Sequence, residues 1–138
     1  NIKNVQVNRT FKNSKLYPDI INAILTFENE VYAHLNADWI SPYKEHRFSV
    51  LGSKGSLIFD DNLCWEKKLC FDPSVIDKSL NIIYGEKNYI KLIKEEPLKK
   101  EIESFLSCIK DEKLPLTNHM EALTVQKIME NIEKKFKY

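Results

Sequence analysis

Four side chains near the Ser41-Pro42 bend could together bind a sugar that carries an anionic group. They are an indole, an ammonium, an imidazole and a guanidinium, at Trp39, Lys44, His46 and Arg47. An aromatic ring offers a flat apolar surface, and lysine and arginine suit carboxylate or phosphate. The alternative places Trp39 in the core, Lys44 in solvent and Arg47 on a strand surface. The residue types leave both interpretations open, and we predict these four as substrate-binding residues.

A second stretch, Gly52-Ser53-Lys54-Gly55, has the composition of a phosphate-binding loop. A P-loop leads into a helix whose N-terminus faces the phosphate. Here the next four residues, 56–59, read Ser-Leu-Ile-Phe, which favours a strand. The stretch therefore predicts a tight turn between two strands, and we expect no cofactor-binding residue in this chain.

Residues that bind metals or act as nucleophiles are few and scattered. Zinc sites favour pairs such as Cys-x-x-Cys or His-x-x-x-His, and the sequence contains neither spacing. The cysteines and histidines are Cys64, Cys70, Cys108, His34, His46 and His119. We therefore predict no metal site and no catalytic residue. Three cysteines cannot all pair internally, which favours free thiols and a cytoplasmic location.

The overall composition gives no reason to expect nucleic acid or a membrane as a partner. The chain has 138 residues, of which 43% are hydrophobic and 30% charged, and its formal net charge is +1. A chain of this length suits one domain, and a charge this small creates no field that attracts nucleic acid. No apolar run approaches the ~20 residues that cross a bilayer. We expect a single domain, 1–138, that binds neither partner.

Hydrophobic periodicity predicts strands up to position 94. Alternation of apolar and polar residues indicates strands at 5–9, 20–27, 31–39, 48–50, 57–59, 64–71, 80–84 and 89–93. Three short connections predict hairpins, at 28–30, where Asn29 tolerates a left-handed conformation, at 52–55 and at 85–88.

Two amphipathic helices are predicted after the strands, over 97–138. The first begins at Pro97 and the second is capped at Thr117 or Asn118. The second helix has an apolar stripe that ends with Ile132 and Phe136. The expected fold is α+β: an open, mostly antiparallel sheet built from hairpins and covered on one face by the two C-terminal helices.

One predicted strand has apolar residues on both faces. Ile20 and Ile24 alternate with Ile21 and Leu25, so both faces of that strand are expected to be partly buried. Helices cover one face, and a partner subunit would cover the other with about 800 Å² per side. We therefore expect a homo-oligomer that assembles through the open sheet face.

The motifs between Ile24 and Asp61, taken in order, resemble the C-terminal domain of the glucose–fructose oxidoreductase/inositol dehydrogenase (Gfo/Idh/MocA) family. The matching residues are Phe27-Glu28-Asn29, Asp38-Trp39, Pro42, Lys44, Gly52-Ser53-Lys54-Gly55 and Asp60-Asp61. The closing helices are also similar, at Pro97-Leu98, Glu101, Phe105-Leu106, Pro115 and Ala122-Leu123. Two positions depart from the pattern. Glu30 replaces the hairpin glycine, and His46 replaces a cation, so a substrate contact at His46 would be sensitive to pH.

The resemblance implies a domain rather than a complete enzyme. Proteins of this family place a Rossmann domain first, which binds NAD or NADP and carries glutamate–lysine–proline and aspartate-x-x-x-histidine motifs. Neither motif occurs here, since Glu86-Lys87 is followed by Asn88, and the chain begins with Asn1 rather than methionine. The resemblance therefore implies a fragment that lacks the Rossmann half and is inactive alone.

The expected function follows from that resemblance. The chain would be the substrate-side and oligomerisation domain of an NAD(P)-dependent sugar or nucleotide-sugar dehydrogenase. The parent protein would oxidise a sugar CH–OH group with NAD or NADP. The alternative is a stand-alone, non-catalytic α+β scaffold or binding module that dimerises.

Overall fold

The computed structural model describes residues 2–13 and 15–135, which form strands followed by two helices. In chain order the elements are β1 (Ile2–Thr10), β2 (Ile20–Phe27), β3 (Tyr32–Asp38), β4 (Arg47–Gly52), β5 (Gly55–Asp60), β6 (Leu69–Ile76), β7 (Ile82–Tyr84), β8 (Asn88–Tyr89), α1 (Pro97–Lys110) and α2 (His119–Lys134). The α+β class and the open antiparallel arrangement are confirmed, although the strands form two sheets rather than one. The predicted helical positions 136–138, including Phe136, lie outside the described residues.

The first sheet has the order β1-β2-β3 and packs against α2 on one face. Ala23 and Leu25 of β2 are buried, and the register places Val7 opposite Ala23 and Val5 opposite Leu25. Ile132 of α2 is buried against the same group. Burial of apolar surface stabilises a fold by roughly 25 cal/mol per Å². These contacts therefore hold α2 on the first sheet.

The opposite face of the first sheet is largely polar. The register aligns residues from all three strands in the rows Asn8–Asn22–Asn36, Gln6–Ile24–His34 and Asn4–Thr26–Tyr32. Ile20 and Ile24 are half-buried, as predicted. Their neighbours in the rows are mostly polar, however, so this face is not a continuous apolar surface.

The loop between β2 and β3 is a three-residue hairpin connection. The Phe27 N–H donates to the Val31 carbonyl at 2.9 Å, and the Glu30 N–H donates to the Phe27 carbonyl at 3.1 Å. Glu30 has a φ of 63°, as expected for the last residue of such a loop. The left-handed residue is Glu30 rather than Asn29, the residue expected to tolerate that conformation. The strained position is the one where the family pattern has glycine.

Asp19 ties together the elements around the loop that joins β1 to β2. It is buried, and its Oδ2 accepts hydrogen bonds from the backbone N–H groups of Lys12 and of Asn13, the latter at 2.7 Å. The hydrogen bond from the Asn13 N–H is the main reason that the pKa of Asp19 lies below its ordinary value. The Trp39 N–H donates to the Asp19 carbonyl at 3.4 Å. Asp19 thus helps to fix the backbone at Trp39.

In the second sheet, β5 lies between β4 and β6, and β6 carries both β7 and β8 on its other edge. The strand predicted at 64–71 was placed too early. Its first part is a 3₁₀ turn at Trp65–Lys67, and β6 continues through Pro73. The Trp65 indole N–H donates to the Leu92 carbonyl at 3.0 Å. This bond, which spans 27 residues, is not visible in a local pattern.

The predicted hairpin around 85–88 was also wrong. β7 pairs with residues 74–76 of β6, and β8 pairs with Cys70 and Phe71 of the same strand. The Gly85 N–H donates to the Pro73 carbonyl at 2.8 Å. The chain therefore continues along β6 after β7 instead of folding back on β7.

The stretch 52–55 is the tight turn that the sequence predicts. Gly52 pairs with Gly55 across the β4–β5 hairpin, and a strand follows Gly55 directly. Gly55 has a φ of +136°, and a Cβ added there would lie 2.4 Å from the Asp72 carbonyl oxygen. Only glycine has both the backbone freedom for this φ and no side chain to clash with Asp72. Its role is to let β6 approach β5 closely.

Both helices begin where predicted. Pro97 is the first residue of α1, and Asn118 is the N-cap of α2, with its Oδ1 accepting from the Met120 N–H at 2.9 Å and the Glu121 N–H at 3.4 Å. Asn118 rather than Thr117 therefore caps the helix. α1 buries none of its residues, whereas α2 buries Ile132.

The described residues group into two compact units. The first comprises the described residues up to Pro42 together with those from Ile102 onward, and the second comprises Tyr43–Glu101. The first unit contains the first sheet and α2, and the second unit contains the second sheet. The single-domain boundary of 1–138 stays a prediction.

We predict that Gly55→Ala destabilises the chain by about 2 kcal/mol or more, because a side chain there combines an unfavourable φ with a backbone clash. Gly52→Ala is the matched control in the same turn. Its added Cβ meets nothing closer than 3.8 Å, so we expect a change below about 1 kcal/mol. Urea denaturation measures both. Equal losses would contradict the role given to Gly55.

Candidate functional site

Three strand ends of the second unit meet around one carboxylate, that of Asp61. The Asp61 N–H donates to the His46 carbonyl at 3.0 Å, which extends the β4–β5 pairing by one residue. The Asp60 N–H donates to the Lys68 carbonyl at 2.8 Å. The residues just before β4, just after β5 and just before β6 therefore lie side by side.

Three basic side chains surround the Asp61 carboxylate. Lys68 Nζ donates to Oδ1, and also to the Asp61 backbone carbonyl at 3.0 Å. On the other oxygen, Oδ2, Lys44 Nζ lies at 3.7 Å and His46 Nδ1 at 3.6 Å. These last two distances are ion-pair separations rather than hydrogen bonds. Lys44 and His46 therefore keep donors that can serve another acceptor.

The charge around Asp61 alters its ionisation. The hydrogen bond from Lys68, and then the positive charge of Lys68, hold the pKa of Asp61 below its ordinary value, with smaller contributions from His46 and Lys44. Partial burial opposes them. The carboxylate thus stays ionised at neutral pH. One negative charge then faces two lysines, which leaves the cluster with a net positive charge.

Lys68 is the fixed member of the cluster and the other two are exposed. Its side chain is 16% exposed, against 78% for Lys44 and 71% for His46. Lys68 Nζ also lies 5.5 Å from the centre of the Trp65 ring, within range of a cation–π contact. The hydrogen bond from Trp65 to the Leu92 carbonyl holds that ring in place. The cluster is therefore rigid on one side and accessible on the other.

The structure brings together two of the four predicted substrate-binding residues, Lys44 and His46. Arg47 begins β4 opposite Asp60. Strand alternation directs the Arg47 side chain to the opposite face of the sheet from Phe48. The His46 ring lies on the Phe48 face, where it contacts Phe59, the partner of Phe48, with ring centroids 6.4 Å apart. Arg47 and His46 therefore lie on opposite faces of the sheet.

Trp39 belongs to the first unit. Its side chain is 67% exposed, so the alternative that Trp39 is a core residue does not hold. Its exposed indole is free to offer the flat apolar surface on which the substrate prediction depends.

Sequence reasoning did not select Asp61, Lys68 or Trp65 for the site. A signal for Asp61 was present, since extending the hairpin register from Gly52 and Gly55 to the start of β4 places His46 opposite Asp61. For Lys68 no comparable signal exists. Its position depends on the 3₁₀ turn at Trp65–Lys67, which the alternation pattern had assigned to a strand.

Metal ligands, thiols and membrane-spanning helices are other features by which a chain can carry a function. Over 2–13 and 15–135, no group of three or more His, Cys, Asp or Glu side chains is arranged to hold a metal ion. Cys64, Cys70 and Cys108 are free thiols. None of the helices within the described part of the chain is long and apolar enough to span a membrane.

Comparison with known families supports the resemblance seen in the sequence. Residues 2–58 match the family model described as the GFO/IDH/MocA C-terminal domain. The resemblance is confirmed over those residues. The match covers the whole first sheet, β4 and part of β5, and it includes Trp39, Lys44, His46 and Arg47. Searches of curated proteins and of solved structures gave no significant match.

The match covers less than half of the chain. A GFO/IDH/MocA C-terminal domain is a domain of an oxidoreductase family, and it is the β-rich part of the chain, residues 2–58, that carries the match. Asp61 and Lys68 lie beyond the matched residues. The candidate site therefore combines two residues inside the GFO/IDH/MocA match with two outside it.

We predict that Lys68→Met moves the pKa of Asp61 upward toward its ordinary value, and by more than Lys44→Met does. Lys68 provides the largest stabilisation of the carboxylate, and Lys44 contributes only through its charge. A carboxyl whose folded pKa is lowered contributes stability above its unfolded pKa of about 3.9 and loses it as pH falls. The Lys68 variant should therefore show a shallower loss of stability at acid pH. Titration of the Asp61 carboxyl by NMR measures the shifts, and a larger shift in the Lys44 variant would contradict the geometry.

Proposed function

We propose that this chain is the substrate-side and oligomerisation domain of an NAD(P)-dependent sugar or nucleotide-sugar dehydrogenase. The observation that carries the proposal is the family match over residues 2–58. In such an enzyme a separate dinucleotide-binding domain holds NAD or NADP, and hydride passes between a sugar CH–OH group and the nicotinamide. The present chain would bind the substrate and the neighbouring subunit. Its free thiols are compatible with a cytoplasmic enzyme.

The substrate role is assigned to Trp39, Lys44, His46 and Arg47. Trp39 presents an exposed ring, and aromatic rings supply large contact surfaces at little cost in conformational entropy. Lys44 and His46 present donors next to Asp61. Arg47, at the start of β4, is exposed and offers a planar guanidinium. The ring of Trp39 suits a sugar ring, and the cationic groups of the second unit suit an anionic substituent.

The oligomerisation role is assigned to one face of the second sheet. The register aligns apolar residues across β4, β5 and β6 in the rows Phe48–Phe59–Leu69 and Val50–Leu57–Phe71. Phe48 is 68% exposed, and Val50 and Leu57 are also exposed. An apolar surface of this kind marks an interaction site. We propose a second copy of the chain as its occupant, because the two rows carry no charge and the net charge of +1 causes little repulsion between copies.

The apolar rows also favour the second candidate function, a stand-alone scaffold that dimerises and performs no chemistry. The two candidates differ in sugar binding, which only the first requires. The same two rows serve both, so dimerisation alone does not separate them.

We predict that the chain binds glucose or UDP-glucose, and that Trp39→Ala weakens this binding about tenfold by removing one stacking surface. Tyr17→Ala removes another exposed aromatic residue of the first unit and is the matched control. Saturation-transfer NMR with each sugar measures the effect. Absence of binding to both sugars would favour the scaffold, and binding of NAD or NADP by this chain alone would contradict the separate cofactor domain.

We predict that the chain sediments as a dimer and that Val50→Asp converts it to a monomer, because a charge would be desolvated within the apolar rows. Ser49→Asp places the same charge on the same strand with its side chain on the opposite face, and the dimer should persist. Sedimentation velocity measures both variants. A monomeric parent chain, or equal effects of the two substitutions, would contradict the proposed interface.

A further inference from the structure

We propose that Lys44 and His46 bind the phosphoryl group of a phosphorylated sugar or nucleotide sugar, which takes the place of Asp61 as their counter-ion, while Lys68 keeps Asp61 in position. The inference rests on the proposed function in that it names the anionic part of the substrate. It adds Lys68 and Asp61, which lie outside the family match, and it gives each side chain a separate role.

The cluster of Lys44, His46, Lys68 and Asp61 carries a net positive charge. Lys44, Lys68 and ionised Asp61 sum to one positive charge, and a protonated His46 adds a second. The chain as a whole carries a formal charge of only +1. The neighbouring Glu45, Asp60 and Glu66 outnumber Arg47 and Lys67 by one charge, so the attraction for an anion is local to the donors of Lys44 and His46.

The two exposed residues, Lys44 and His46, have hydrogen-bonding capacity that Asp61 does not use. Lys44 Nζ and His46 Nδ1 both lie more than 3.5 Å from Asp61 Oδ2, which is beyond a normal hydrogen bond of 2.7 to 3.2 Å. Both groups gain from an acceptor that approaches more closely. Because both face the same carboxylate oxygen, one ligand group near Oδ2 can reach both of them.

Lys68 and Lys44 differ in their contacts and in their exposure to solvent. Lys68 is hydrogen-bonded to the Asp61 carboxylate and to its backbone carbonyl and contacts the Trp65 ring. It keeps Asp61 in place when the exposed pair turns to a ligand. Lys44 is 78% exposed, so its ammonium can change partner without disturbing the sheet.

The charge balance selects a phosphoryl group over a carboxylate. A carboxylate ligand carries one negative charge and would only repeat what Asp61 already provides. A phosphate monoester carries about −1.5 to −2 at pH 7 and has three acceptor oxygens. A sugar phosphate therefore competes with Asp61 for Lys44 and His46 more effectively than a uronic acid does, whereas a nucleotide sugar, whose two phosphates each carry one charge, competes through its larger number of acceptor oxygens.

Titration of the chain with UDP, glucose 1-phosphate, glucuronate and glucose, followed by NMR shifts of the His46 and Lys44 resonances, tests the proposal. We expect UDP and glucose 1-phosphate to bind, Lys44→Ala to weaken both about tenfold, and added salt to weaken them further. Asp61→Asn should tighten binding, because it removes the internal competitor. Lys54→Ala, at the opposite end of the β4–β5 hairpin, is the matched control and should change nothing.

The outcomes separate this site from the proposed function. Phosphate binding that Lys44→Ala leaves unchanged, or that Lys54→Ala weakens equally, overturns the site. Glucose binding without phosphate binding also overturns it while leaving the sugar-binding function in place. Glucuronate binding as strong as that of glucose 1-phosphate overturns the choice of a phosphoryl group. The exposure of Lys44 makes Lys44→Ala a safe variant for folding, so the test holds even if Asp61→Asn does not fold.

Discussion

The register of the β4–β5 hairpin is the constraint on which the second unit depends. Pairing of Gly52 with Gly55 fixes which residues face each other along both strands. A shift by one residue would move every side chain to the other face of the sheet. It would break the rows of apolar residues and would separate His46 from Asp61. One turn therefore sets both the apolar face and the cluster of charges.

That register is held by a second strand as well as by the turn. β6 approaches β5 so closely at Gly55 that a Cβ atom would lie 2.8 Å from Pro73 Cα. The Ser74 N–H donates to the Lys54 carbonyl at 3.2 Å, which ties β6 to the turn itself. At the other end of the hairpin, the Asp60 N–H donates to the Lys68 carbonyl at 2.8 Å, which ties the end of β5 to the residue just before β6. Because the hairpin is tied to β6 at both ends, the backbone hydrogen bonds of the sheet position Lys68 next to Asp61.

Local patterns in the sequence were sufficient for most of the elements. Strict alternation predicted β2 with both of its ends, and the apolar stripe together with Pro97 and Asn118 predicted both helices. Local patterns failed where a distant contact decides the structure. The Trp65 indole N–H donates to the Leu92 carbonyl, in a segment that is a 3₁₀ turn rather than the predicted strand. The Gly85 N–H donates to the Pro73 carbonyl, and the chain after β7 pairs with β6 rather than with β7. The same limit applies to the site, since His46 and Asp61 follow from a hairpin register but Lys68 does not.

The two sheets differ in whether their apolar face is buried or exposed, and this difference bears on where assembly and anion binding are proposed. The first sheet buries its apolar face against α2 and keeps rows of asparagine and other polar residues on the opposite face. The second sheet keeps Phe48 and Val50 exposed. An exposed apolar face is costly in water, and association is what offsets that cost. A charged cluster at the end of the same sheet stays accessible only if the partner covers the face and leaves the strand ends free. Lys44 and His46 lie before β4 begins, but the His46 ring contacts Phe59 of one apolar row, so anion binding is compatible with the proposed assembly only if the partner covers the row Val50–Leu57–Phe71 and stops short of the strand ends.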